Sequence, residues 1–371
     1  MRAAWAFLAL AALLPGPAGA SERWRMQYYY DEDSSSLTLD DLKFSSPQRG
    51  VGVGYITEAG KTKPVALVTR DGGEHWNLVQ VPEAGHALFF VNETLGWMVT
   101  RSGVWRTDEA GQNWKRCARL SGLVRVYFQD DKHGWAVGVP KAIYETWDGG
   151  NKWSLVPAAA QPKTTREYTA YNSIAFANQR VGLVTGNSRP PRRQEERRRL
   201  PAWMEPDRSE KRREWPAVTI MLETRDGGKN WSLSETTLFG AITQVRLAPN
   251  GRGMGLIQFF ESFTWPSEVF QFDWRTGKSS RAFRQKDRHI TDLALLPDGP
   301  AYLAGIEPQG ALTESPVPGR VKVLRSSNFT DWQEIEVDYR ASARRVVLAA
   351  AAPGHIWVAT DTGMVLKLVA E

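Results

Sequence analysis

The sequence predicts an all-β repeat protein, and three observations carry that prediction. The phrases Thr69-Arg-Asp-Gly-Gly-Glu-His-Trp76, Thr146-Trp-Asp-Gly-Gly-Asn-Lys-Trp153 and Thr224-Arg-Asp-Gly-Gly-Lys-Asn-Trp231 share one pattern, Thr-x-Asp-x-Gly-x-x-Trp. Each is entered from a short apolar run and left through another, the signature of strands around a turn. A weaker copy, Thr107-Asp-Glu-Ala-Gly-Gln-Asn-Trp114, places Glu109 where the others have Asp. The spacing from Trp76 to Trp114 is 38 residues and from Trp114 to Trp153 is 39, close to the roughly 40–45 residues of a four-stranded repeat unit.

The chemistry of the phrase is that of a hairpin turn. Asp-Gly tolerates positive φ and offers a carboxylate to backbone N–H groups across the bend. The Trp anchors the outgoing strand: an indole buries about 150–250 Å², worth at most about 5 kcal/mol per repeat. The candidate turn residues are Thr69, Asp71, Gly73 and Trp76, then Thr107, Gly111 and Trp114, then Thr146, Asp148, Gly150 and Trp153, and lastly Thr224, Asp226, Gly228 and Trp231.

These phrases resemble the Asp-box, or BNR, repeat of sialidases, sortilin-type receptor domains and photosystem II stability and assembly factors. A decayed copy stands at Arg325-Ser-Ser-Asn-Phe-Thr-Asp-Trp332. The resemblance implies a β-propeller with the box on the outer edge of each blade, away from the central ligand face. Asp71, Asp148 and Asp226 are then structural rather than catalytic.

Each blade reads as strand A, a Gly-Trp strand B, strand C running into the box, and strand D. In blade two these are Ala87 to Val91, Gly96 to Thr100, Gly103 to Thr107 and Trp114 to Cys117. In blade three they are Leu123 to Phe128, Gly134 to Gly138, Ala142 to Thr146 and Trp153 to Val156. Blade four spans Tyr171 to Ser234. Blade five spans Ile242 to Phe283, with a hairpin at Phe272 to Gly277, and blade six spans Ile290 to Ile335. Blade seven has three strands, Arg344 to Ala349, His355 to Ala359 and Met364 to Leu368. The aromatic, extended segment Arg23 to Tyr30 is placed to be its fourth, since closure removes exposed strand edges. The expected fold is an all-β, seven-bladed propeller of four-stranded antiparallel blades, closed by an N-terminal strand that completes the last blade.

Residues 1–20 read as a secretory signal peptide. Arg2 opens it, an apolar run from Ala3 to Leu14 follows, and Ala18-Gly19-Ala20 is a cleavage signal. Cleavage after Ala20 leaves residues 21–371 as one propeller domain, periplasmic or secreted, and expected to be monomeric. Cys117 is the single cysteine, so no internal disulfide forms.

Residues 188–216, inside blade four between strands B and C, stand outside the repeat. Ten basic residues there against six acidic carry +4 of the chain's net +6. Loops of this length in a compact domain tend to be functional or disordered, and Arg forks suit carboxylate or phosphate partners. The candidate contacts are Arg192, Arg193, Arg197, Arg198, Arg199, Trp203, Arg212, Arg213 and Trp215, because Trp with Arg is the composition of interaction hot spots. A solvated loop and a contact for protein or envelope lipid are both open readings, while export removes most nucleic-acid partners.

The phrase Gly-Trp-Ala-Val-Gly followed by Thr-x-Asp-Gly-Gly-x-x-Trp is similar to the photosystem II stability and assembly factor type across blades one to four. That resemblance implies a non-enzymatic scaffold whose face binds a protein client, such as a membrane or envelope complex, with arginines contributing. The alternative is a sialidase-like glycoside hydrolase or carbohydrate-binding propeller. Against it, no Arg-Ile-Pro phrase stands in the first blade, and Arg189-Pro190 lies in the wrong one. Asp40-Asp41 and Asp130-Asp131 read as solvated turn residues pointing apart. His75, His86, His133, His289 and His355 are isolated in sequence, so no metal or cofactor is expected, and no catalytic set is nominated.

Trp153→Ala is expected to cost about 3–5 kcal/mol, as for other truncated core aromatics. Equilibrium urea unfolding checks this, and an unchanged midpoint would refute the anchoring role.

Overall fold

In the computed structural model, residues 22–190, 216–260, 264–307, 319–338 and 340–370 are described. The N-terminal strand β1 (Glu22–Tyr29) is followed by blade one, β2 (Ser35–Phe44), β3 (Gly50–Glu58), β4 (Lys61–Thr69) and β5 (Asn77–Gln80). Blade two is β6 (Gly85–Phe90), β7 (Gly96–Thr100), β8 (Val104–Thr107) and β9 (Lys115–Ala118). Blade three is β10 (Leu123–Phe128), β11 (Gly134–Gly138), β12 (Ala142–Thr146) and β13 (Ser154–Leu155). Two short 3-10 turns, Pro157–Ala160 and Arg166–Tyr168, lead into blade four, β14 (Thr169–Phe176), β15 (Gly182–Ser188), β16 (Ala217–Thr224) and β17 (Ser232–Leu238). Blade five is β18 (Gly240–Leu247), β19 (Arg252–Phe259), β20 (Ser267–Asp273) and β21 (Ser279–Phe283). Blade six is β22 (His289–Leu295), β23 (Ala301–Glu307), β24 (Gly319–Ser326) and β25 (Gln333–Ile335), with the short β26 (Ser342–Ala343) also on β24. Blade seven runs β27 (Val346–Ala352), β28 (His355–Thr360) and β29 (Met364–Ala370).

Seven antiparallel sheets result, and the last has the order β1-β29-β28-β27. The aromatic N-terminal strand is therefore the outermost strand of blade seven, paired from Glu22 opposite Ala370 to Tyr29 opposite Met364. An ion pair from Glu22 to Arg325 ties it to blade six as well. The box tryptophans precede strand D rather than start it, as in β9 and β13.

The apolar core is divided among the gaps between neighbouring blades. Leu37 and Leu67 of blade one pack with Val347 and Trp357 of blade seven, and Trp135 of blade three packs with Tyr171 and Val184 of blade four. The aromatic centre of three gaps has one design. The Phe ending strand A lies flat on the strand-B Trp of the preceding blade: Phe128 on Trp97 at 3.5 Å, Phe176 on Trp135 at 4.6 Å, and Phe44 on Trp357 at 3.5 Å. The same Phe meets the box Trp of its own blade edge-on, in the Phe128–Trp153, Phe176–Trp231 and Phe44–Trp76 pairs, the geometry aromatic quadrupoles favour.

The box supplies the polar half of this joint. In the full copies the Thr hydroxyl donates to the Asp carboxylate, at 2.9 Å from Thr69 to Asp71 and 3.0 Å from Thr146 to Asp148 and Thr224 to Asp226. It accepts in turn from the N–H of Gly73, Gly150 and Gly228. The carboxylate accepts from the N–H of His75, Lys152 and Asn230. Both glycines of each box sit at positive φ, 72° and 93° at Gly72 and Gly73, which a side chain would strain. The N–H of Gly72 donates to Gln48 in the A–B turn of its own blade, while its carbonyl accepts from the Trp357 indole of the preceding blade at 3.1 Å. Gly149 repeats this arrangement, with Lys132 and with Trp97 at 2.9 Å. One glycine thus joins two turns and two blades.

The weaker copies keep part of this geometry. Thr107 still accepts from Gly111, and Ala110 takes the first glycine's place at φ 54°. The decayed copy begins one residue later than its Trp spacing suggests: Ser326 acts as the Thr, Asn328 as the Asp, and Phe329 at φ 66° replaces both glycines.

Two substitutions separate stacking from hydrogen bonding at this joint. Trp97→Phe keeps a ring on Phe128 but strands the Gly149 carbonyl, so a loss of about 1–3 kcal/mol is expected. Trp97→Ala should lose about 3–5 kcal/mol. Chemical denaturation of both variants checks the order.

Candidate protein-binding face and central channel

Antiparallel order within each blade puts the A–B turns and the boxes on one face of the ring. The B–C loops and the D-to-A crossovers occupy the other. The basic segment leaves β15 and returns at β16, and the flanking residues Ser188 and Val218 are directly paired. Its described ends therefore lie on the face opposite the boxes. Arg192, Arg193, Arg197, Arg198, Arg199, Trp203, Arg212, Arg213 and Trp215 lie outside the described residues. At its base, the Arg189 guanidinium sits 3.5 Å over the Phe260 ring of blade five.

The seven A strands enclose a central cavity of about 380 Å³. Its charged lining includes Lys43 and Asp41 from β2, Arg125 from β10, Arg246 from β18, Asp292 from β22 and Arg345 ahead of β27. In six A strands the pairing register shifts by one residue at this depth, for instance between Leu39 and Asp41 and between Leu123 and Arg125. Such bulges re-aim side chains, and here the residue after each bulge comes to one level of the ring.

Three of those residues lock blades together through backbone N–H groups. Asp41 accepts from Leu88 of blade two at 2.8 Å, Ser173 from Val245 of blade five at 3.0 Å, and Asp292 from Leu348 of blade seven at 2.9 Å. Burial works against the Asp41 carboxylate, yet the Lys43 ammonium at 2.7 Å, the Arg125 charge and the Leu88 N–H together hold its pKa below the usual range. Arg246 reaches Asp292 at 3.4 Å, and Arg345 pairs with Asp40 at 3.8 Å. Burial raises the pKa of Asp40 despite that arginine. Arg125, enclosed by the channel wall, is pushed below its ordinary value by desolvation, with Asp41 opposing. It donates to the Val124 carbonyl. Among the described lining residues, four cations face two carboxylates, leaving the bore cationic.

This corrects the reading of Asp40-Asp41 as solvated turn residues. They lie within the innermost strand of blade one, Asp41 is 4% exposed, and alternation sends one toward Arg345 and the other toward blade two. Asp130-Asp131 is a turn as expected, Asp130 accepting from the N–H groups of Lys132 and His133. The histidines are not all solitary: His133 stacks on Trp147 at 3.5 Å and meets Glu145 at 2.9 Å. No residue motif announced the channel set, because its members are one per blade and far apart in sequence. The usable signal was a charged residue inside an apolar A strand, as in Leu37 to Phe44.

Each full-box carboxylate braces its turn through Oδ1. Burial disfavours ionised Asp71, but bonds from the His75 N–H, the His75 ring and the Thr69 hydroxyl outweigh it and bring its pKa to about 2. The Lys152 N–H bond leads in lowering Asp148, and the Asn230 N–H bond in lowering Asp226.

Comparison with known proteins agrees with this architecture. A family model described as the photosynthesis system II assembly factor YCF48 matches residues 119–190. The chloroplastic photosystem II stability/assembly factor HCF136 of Arabidopsis thaliana is 28% identical over 196 residues, 47% of this chain and 45% of that protein. The chain thus spans about half the length of that relative. The photosystem II assembly lipoprotein Ycf48 of a Synechococcus strain is 22% identical over 288 residues, 75% of this chain and 70% of that protein. Among solved structures, YCF48 bound to D1 peptide superposes with a TM-score of 0.57 at 16% identity, covering 92% of this chain and 99% of that one. YCF48 from Cyanidioschyzon merolae also gives 0.57, at 15% identity over 94% and 98%. These two structures share the fold.

Asp41→Asn should weaken the lock between blades one and two. A carboxamide has one acceptor oxygen where Asp41 uses two, so a loss of about 1–3 kcal/mol is expected at neutral pH. The folded pKa lies below the ordinary Asp value, so the carboxylate's contribution is complete above that value and disappears as pH falls through the folded pKa. The gap in melting temperature between wild type and variant should therefore narrow below about pH 4, and thermal unfolding across pH 2.5–7 checks this.

Proposed function

We infer, for a BNR-type propeller homologous to the Ycf48 and HCF136 assembly factors, that the protein is an exported, non-enzymatic scaffold that holds a protein client during assembly of a membrane or envelope complex. The homology carries this reading, and the cationic bore supports it. Lys43, Arg125, Arg246 and Arg345 converge on a cavity with both polar and apolar walls, suited to a segment bearing carboxylates. The basic segment, whose described ends lie on the same face as the D-to-A crossovers, adds net positive charge, and its composition supplies Trp203 and Trp215 as apolar anchors. Asp71, Asp148 and Asp226 act as turn braces, since the Oδ1 of each accepts from both a Thr hydroxyl and a backbone N–H. The apolar stretch and cleavage signal of residues 1–20 direct the chain to a periplasmic or equivalent compartment.

The direct pairing of Ser188 with Val218 means that residues 191–215 can be replaced by a short turn without opening the blade. Affinity purification from the native host, read by mass spectrometry, should recover subunits of a membrane complex with the full chain. Recovery should fall sharply without residues 191–215 or with Arg246→Glu. Equal recovery from all three proteins would overturn the client-binding assignment of this face.

A further inference from the structure

Blade five interrupts the aromatic and glycine joints of the ring. Its strand B carries Met254 where blades two, three and seven have Trp97, Trp135 and Trp357, and its C–D turn is Asp273 to Gly277 rather than a box. In the facing turn of blade six, Phe329 replaces the box glycines. Between these turns, on the box face, lies a cavity of about 400 Å³.

Arg252 enters this cavity from the start of β19 without a matching anion. Its guanidinium lies 4.0 Å over the Phe329 ring, and Nη1 donates to the Gly299 carbonyl at 3.3 Å. Nη2 is buried and has no hydrogen-bond partner among the described residues. Desolvation pushes its pKa down. Burying a guanidinium donor unpaired is unfavourable, and arginine forks are made for oxyanions. Lys278, exposed beside Asp273 on the same blade-five sheet as Arg252, adds a second positive charge. Ser279, Ser280 and Ser327 complete the polar lining, and the Ser280 oxygen already accepts from Gln271, which leaves its O–H free to donate. Asp273, the cross-strand neighbour of Arg252, also borders the cavity, its Oδ1 accepting from the N–H groups of Arg275 and Thr276 in the turn, so the lining sets two cations against one carboxylate.

We propose that the groove between blades five and six binds a phosphate monoester, with Arg252 and Lys278 gripping the phosphate and Phe329 flanking the organic body that carries it. Two cations and several hydroxyl donors suit a tetrahedral dianion better than a carboxylate, which offers two oxygens. The cavity also exceeds the size of a bare phosphate. The site is on the face away from the basic segment, so it stands or falls independently of client binding.

Isothermal titration of the full-length protein with phenyl phosphate, inorganic phosphate and N-acetylglutamate at fixed ionic strength tests this. Saturable one-to-one binding of both phosphates is expected, with N-acetylglutamate much weaker. Arg252→Gln should abolish it, and Lys278→Ala, which alters an exposed side chain, should weaken it about tenfold, the equivalent of one charged contact. If Arg252→Gln fails to fold, Lys278→Ala decides alone. Absence of saturable binding, affinity unchanged by Lys278→Ala, or N-acetylglutamate binding as tightly as phenyl phosphate would each overturn the proposal.

Discussion

The ring depends on the contact between a Phe at the end of one blade's innermost strand and a Trp in the second strand of the blade before it. A propeller has no single core, and each sheet is stable only through the sheets beside it. Where the Phe–Trp stack is present, the indole N–H can also reach the box of the next blade, as Trp97 reaches Gly149 and Trp357 reaches Gly72. The apolar and polar components of the joint are therefore carried by the same residue pair. At the ring closure, Phe44 and Trp357 connect the first and last blades in this way, and β1 completes the last sheet outside them.

The joint is not uniform around the ring. Trp135 stacks on Phe176 but its indole N–H makes no bond, since it lies against Gly228 rather than a carbonyl. Val51 packs on Gly111 in the first gap, and no box glycine faces Met254 in the fifth. As the box decays, buried carboxylate and hydroxyl locks near the axis take on part of the work: Ser173 to Val245 across the fourth gap and Asp292 to Leu348 across the sixth. A strong peripheral joint is thus relaxed in the fourth and sixth gaps, where an inner lock stands, while in the fifth the altered turns leave a groove.

This division also separates two faces of different chemistry. The boxes and A–B turns form tightly hydrogen-bonded connections on one side, where the Oδ1 of each full-box carboxylate braces its turn. On the other side the B–C loops are unconstrained by the repeat, and the longest of them can grow from a paired hairpin without disturbing its blade. The charges of the central cavity do two tasks: the aspartates join blades, while the basic side chains, only partly neutralised, set the potential of the bore.

The repeated turn, the blade order and the closing strand were legible in the sequence, because each is local: Thr-x-Asp-x-Gly-x-x-Trp fixes a turn within eight residues, and alternating apolar runs around it can form little but strands. Even the decayed copy at Trp332 was visible, although its shortened register needed the bonds of Ser326 to resolve. The channel set was not legible. Asp41, Arg125, Arg246, Asp292 and Arg345 are separated by whole blades, and a charged residue in a strand reads as surface until closure turns that strand inward. Arg252 and Lys278 are likewise ordinary surface cations until two blades with altered turns face each other. Backbone conformation follows from neighbours in the chain, whereas burial and the pairing of charges are properties of the closed ring.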